Sequence, residues 1–172
     1  MDNKVRRRRM ATGVATVLAM IFLIASHSVR ADDSRLSRET LKDVRVISVM
    51  VEDLPDSAKI LNISKDAIQT DVELKLRLAG MRVVPEQEGE RLLGSPVLYV
   101  NLNVADDGKA ADIKVDMQQN ALLERNKLWT PRITTWSTGI LVSNPTSERI
   151  RNLIKDRVDD FLNAWLSVNP KK

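Results

Sequence analysis

Between residues 96 and 142 apolar and polar side chains alternate so regularly that a β-meander is the one arrangement that suits them. Leu98, Val100, Leu102 and Val104 fall on one side of an extended chain, and Tyr99, Asn101 and Asn103 on the other. A period of two marks a strand with one face buried. Asp106-Asp107-Gly108-Lys109 follows, and Asp and Gly supply the backbone conformations of a tight hairpin turn. The alternation then resumes, with Ile113, Val115 and Met117 inward against Lys114, Asp116 and Gln118. Three strands are expected, over 96–104, 111–125 and 127–142. The third runs through Trp129, Ile133, Trp136 and Thr138, and Pro131 within it points to an edge or a bulge, which leaves its inward face open.

Upstream, residues 44–51 are apolar at nearly every position. That suits a central strand covered on both sides, or one whose outer face meets something else. Ser64 is a good N-cap, Ile63 can staple onto Ile68, and Ile68, Val72, Leu76 and Ala79 follow at helical spacing before Gly80. Residues 71–78 also alternate as a strand would. Capping chemistry at both ends, with Leu, Lys, Glu and Arg between, decides for a helix over 68–79. Residues 81–84 make a short strand stopped by Pro85, and 86–93 hold one or two helical turns. Asn144 as N-cap and Pro145 at the first helical position should start a closing helix. Ile150, Leu153, Ile154, Val158, Phe161, Leu162 and Trp165 form its apolar stripe, and Asn169-Pro170 ends it. The expected fold is α+β, a single domain over 42–169 with order β-α-β-(α)-β-β-β-α. A mixed sheet carries the C-terminal antiparallel meander, and two main helices pack on one face. Residues 32–41 are polar, lack a periodic apolar run, and are expected as a flexible N-terminal arm.

The start of the chain carries Lys4 and Arg6, Arg7, Arg8 and Arg9, then an apolar run from about Met10 to Ser26, then Val29-Arg30-Ala31. Basic, apolar and small-residue segments in that order make a secretory signal peptide over 1–31, cleaved after Ala31. An uncleaved anchor is the alternative, but the run falls short of the ~20 apolar residues a spanning helix needs. The export route stays open between general secretion and the twin-arginine path. The destination is then periplasmic or extracellular.

Cleavage changes the charge and the chemistry. The 172-residue chain has 27 Lys+Arg against 23 Asp+Glu. The leader removes six basic residues (Lys4, Arg6, Arg7, Arg8, Arg9 and Arg30) and Asp2, which leaves 21 against 22, a net −1. No basic footprint for nucleic acid remains. The single histidine, His27, goes with the leader, and the chain has no cysteine. Thiol- and imidazole-dependent metal sites, Ser-His-Asp triads, Cys-His pairs and disulfides are thereby excluded from the exported product. No cofactor, metal or catalytic residue is expected.

Gly80-Met81-Arg82-Val83-Val84, Leu98-Tyr99-Val100 and Thr135-Trp136-Ser137 occupy the places of matching motifs in a known topology. Over about 43–168 the order resembles the small α/β N-terminal domain of the periplasmic TolB family, and is similar to periplasmic domains of CsgG-like secretion proteins. The segments "DVELKLRLAGMRVV", "GSPVLYVNLNV" and "VDDFLNAWLSVNP" also look like a group of small exported bacterial proteins. The resemblance implies an envelope location and an accessory role, and transfers no catalytic residue.

Candidate binding residues follow from the strand pattern. Tyr99, Asn101, Asn103, Asp116, Gln118 and Asn120 would line up on the outer sheet face, either as a polar ligand surface or as a solvated face. Trp129 and Trp136 either anchor a partner or pack against the closing helix, while Trp165 belongs to the core. The carboxylates at Asp106-Asp107, Asp159-Asp160 and Glu86/Glu88/Glu90 fall on a turn, a helix surface and a loop, with no pair held across a cleft. If the third meander strand is an edge, its backbone is available to a partner strand, or Pro131 and Arg132 guard against that pairing. Three readings result: a non-enzymatic module docking an envelope protein through the sheet edge or open face, a small polar-ligand binder, and a carboxylate-only hydrolase.

Overall fold

A computed structural model describes residues 33–170, so the expected signal peptide and His27 lie outside the described residues. The chain runs α1 (Arg35–Glu39), β1 (Val46–Val51), a 3-10 turn (Asp56–Leu61), α2 (Lys65–Leu78), β2 (Arg82–Val84), α3 (Glu86–Gly89), β3 (Val97–Val104), β4 (Ala110–Leu123), β5 (Leu128–Ser143) and α4 (Ser147–Val168). Five strands form one mixed sheet in the order β2-β1-β3-β4-β5. β1 runs parallel to both β2 and β3, and the β3-β4-β5 meander is antiparallel. The expected α+β domain with its C-terminal meander is the fold found.

α2 begins where its cap says it should. The Ser64 side chain accepts from the Ala67 N–H, and at the other end Gly80 takes φ +95°. There Gly80 N–H donates to Arg77 O at 3.0 Å and Met81 N–H to Leu76 O at 3.0 Å, the paired bonds that satisfy a helix's last carbonyls. α2 lies over β1 and β2, and α4 over β4 and β5. Between them and the sheet Ile68, Val72, Leu76, Leu98, Val100, Ile113, Val115, Met117, Ile154, Val158 and Phe161 close into one core. Lys75 to Asp159 and Arg151 to Asp71 tie the two helices along their outer seam.

Two expectations need correcting. The stretch expected as a flexible arm instead folds as α1. Ser34 caps it by accepting from Ser37 N–H at 3.1 Å, Leu41 just beyond it is fully buried, and Thr40 Oγ1 donates to Thr135 O. Tertiary contacts hold a helix too short to show a periodic stripe. The closing helix also starts later than expected, with Thr146 as N-cap accepting from Arg149 N–H at 3.2 Å. Asn144 takes φ +46° and donates its N–H to Lys109 O, finishing the hairpin rather than opening the helix.

The outer face of the sheet is not uniformly open. α3 lies on it over β1, and a Cβ at Gly89 would sit 2.6 Å from Ser48 Oγ, so only glycine permits that approach. Ser48 and Val97 are buried there. β1 is thus covered on both sides, which explains its near-continuous apolar run.

Candidate functional site

The rest of the outer face belongs to β3 and β4. Tyr99 stands opposite Asp116, Asn101 opposite Lys114 and Asn103 opposite Asp112, with Gln118 at the end against Val97. The structure therefore brings Tyr99, Asn101, Asn103 and Gln118 together on one face. Asn103 Nδ2 donates to Asn101 Oδ1 at 2.7 Å, and Ser137 Oγ to Asp116 Oδ1 at 2.6 Å. Burial, then a hydrogen bond to Glu52 and the nearby Asp116 charge, push the Tyr99 phenol up to about 12. It stays protonated at any physiological pH and acts as a hydrogen-bond donor. Glu52 was not singled out from the sequence, because only the parallel pairing of β1 with β3 brings it beside Tyr99.

Asn120 leaves that face. Its N–H donates to Gly94 O at 2.7 Å, its Nδ2 to Ser95 Oγ at 3.0 Å, and its Oδ1 accepts from Arg132 N–H at 3.3 Å. The tryptophans separate as well. Trp136 is 2% exposed, its ring edge-on to Phe161 at 5.5 Å, so of its two expected roles packing against the closing helix is the one found, and it is not a surface binding residue. Its indole N–H donates to Asp33 at 3.2 Å. Trp129 is 64% exposed.

The reason lies in the β4–β5 hairpin. β3 stops pairing at Gln118, but β4 and β5 continue as a two-stranded ribbon to a turn at residues 124–127. Register breaks flank Gln118 and Gln119. Pro131 and Arg132 sit at the second break, with Arg132 at φ +52°. Such bulges bend a strand and shift the phase of its faces. From its bend Arg132 reaches Glu86 on α3 at 2.8 Å and lies against Met50 Sδ at 3.5 Å. Past that tie Leu122 pairs with Trp129, and Leu123 with Leu128, all exposed. Directly opposed residues share a face, so both faces of the ribbon tip are apolar. Leu122, Leu123 and Leu128 were not recognised as candidates; their unbroken apolar pairs on either side of a polar turn were the available signal.

No family model matches this chain, and no curated protein matches it. Among solved structures it is similar to a dodecameric PelC variant from Paraburkholderia phytofirmans, at 12% identity and a TM-score of 0.41, covering 71% of this chain and 87% of that one. At that level the likeness carries no argument.

Proposed function

We propose that this chain is an exported, non-enzymatic accessory domain of a bacterial envelope assembly, docking a protein partner through the β4–β5 ribbon and the open face beside it. The ribbon carries the reading. Leu122, Leu123, Leu128 and Trp129 are exposed on both of its faces, beyond the last strand that could support them. An isolated ribbon is marginal in water, and clustered exposed apolar side chains with a tryptophan suit a partner's groove. The polar tip Glu124-Arg125-Asn126-Lys127 would emerge into water on the far side. The basic-apolar-small leader supports export, and the resemblance of the order of elements along the sequence to TolB- and CsgG-like domains supports an envelope setting.

The test is affinity capture from envelope fractions with the tagged protein and its Trp129→Ser/Leu128→Ser variant. The same envelope protein should be recovered by the first and lost by the second, with both equally folded. Recovery that does not depend on the ribbon would defeat the reading. A second reading rests on the Tyr99 donor set among Asn101, Asn103 and Asp116, as a surface for a small polar ligand. A thermal-shift screen of sugars and amino acids decides it, since a ligand that binds the native state raises its stability. A stabilisation abolished by Tyr99→Phe supports it, and a flat screen removes it.

A further inference from the structure

The two edges of the sheet are built differently. β2 exposes only Arg82–Val84, and Pro85 and an Arg82–Glu88 ion pair close it off. β5 is 16 residues long, and among the described residues no strand lies on its far side. Its upper part, residues 136–143, keeps one unbroken register with β4, so its outward backbone groups stand in regular order. From Ile133 to Asn144 there is no charged residue and no proline. Those are the devices that keep an edge from pairing with another chain. Arg132 and Pro131 lie below the stretch, and Arg132 is already turned across the sheet to Glu86.

We propose that this edge pairs with the same edge of a second copy of the chain, antiparallel about a two-fold axis, so that one sheet runs through both copies. An isologous strand pair needs no like charges opposed, and an uncharged edge meets that condition in every register. A foreign partner would find no charge here to read. A near-neutral exported chain also sets up little long-range repulsion between copies. A leucine flanks the edge: Leu141, paired with Asp112, is 74% exposed on the open face. Eight residues of edge and one flanking leucine make a small contact, at the low end for a specific interface. The dimer should therefore dissociate on dilution. The inference goes beyond the accessory role and uses a different surface from the ribbon, so either can fail alone.

Sedimentation velocity of the purified protein over about 1–200 μM, a range that brackets a weak interface, tests it. A monomer–dimer equilibrium is expected, with slower hydrogen exchange at 136–143 in the dimer. Leu141→Lys places like charges near the axis and should weaken the dimer tenfold or more, with an unchanged melting temperature at concentrations where both proteins are monomeric. Leu93→Lys, the same change at a leucine 98% exposed and away from β5, should leave it intact. A monomer at every concentration overturns the proposal. So does a dimer indifferent to Leu141→Lys, or one lost in Trp129→Ser instead.

Discussion

Residues 110–118 of β4 pair with 134–143 of β5 inside the sheet, whereas 119–123 pair with 128–133 beyond the reach of β3. The same two strands thus serve two environments. The inner half lays Ala111, Ile113, Val115 and Met117 beneath α4, with Trp136 edge-on to Phe161. The outer half offers Leu122, Leu123, Leu128 and Trp129 to solvent and is held only at its base. What separates them is support, since the hairpin is apolar along both halves. One half has a helix and a third strand to bury against, and the other has a few polar ties.

The sharpest way to break that contrast is Trp136→Ala. Removing a fully packed indole should cost about 3–5 kcal/mol, read as a lowered urea midpoint; a loss below about 1 kcal/mol would place Trp136 outside the cooperative core. Glu86→Ala removes the nearer of the two carboxylates that hold Arg132, leaving Glu90 at 3.9 Å, without touching the ribbon's backbone. The pair is partly solvent-screened, so about 0.2–1 kcal/mol is expected, together with faster hydrogen exchange over 119–133. Unchanged exchange there would mean that the Asn120 contacts and Arg132's remaining partners, Glu90 and Met50, suffice to hold the base. Trp129→Ala should change stability by about 0.5 kcal/mol or less in chemical denaturation; a larger cost would show the ribbon packed rather than bare.

The smallest effect near neutral pH concerns Tyr99, on the strand beside the anchored half. It is the only tyrosine in the chain, so ultraviolet absorbance follows its titration directly. The folded phenol should titrate at about 12 against an ordinary 10.0. The folded state holds the proton more tightly than the unfolded one. The associated stability is therefore whole below the ordinary value and disappears as pH rises through the folded one. Glu52→Gln should move the midpoint down, and an unmoved midpoint would leave burial and the Asp116 charge as the causes.

Where the pattern was local, the sequence carried the fold. Ser64 and Gly80 bracket α2 because capping is settled within a few residues. The alternation from Leu98 to Met117 named the core face of β3 and β4 without error. Legibility ended where a distant contact chose between local options. Asn144-Pro145 has the chemistry of a helix start, but Lys109 claims the Asn144 N–H for the hairpin. The α1 segment has no stripe and is fixed by Leu41 in the core. β5 resisted phasing because its bulges insert residues that periodicity cannot count. For the candidate site, Tyr99, Asn101 and Asn103 followed from alternation, whereas Glu52 needed the parallel β1–β3 pairing. Trp129 and Trp136 could be told apart only once the ribbon was seen to outrun β3.

Asn169 sits at the end of α4, yet its side chain donates to Leu41 O at 2.9 Å and accepts from Asp43 N–H at 2.8 Å, while Trp165 Nε1 donates to Val44 O at 2.7 Å. The chain's last turn of helix is the buckle for its first strand. A polypeptide delivered from its N-terminus cannot fasten β1 in place until Asn169 has been handed over. Closure of this domain therefore waits on the segment around Trp165 and Asn169, however early β1 itself emerges.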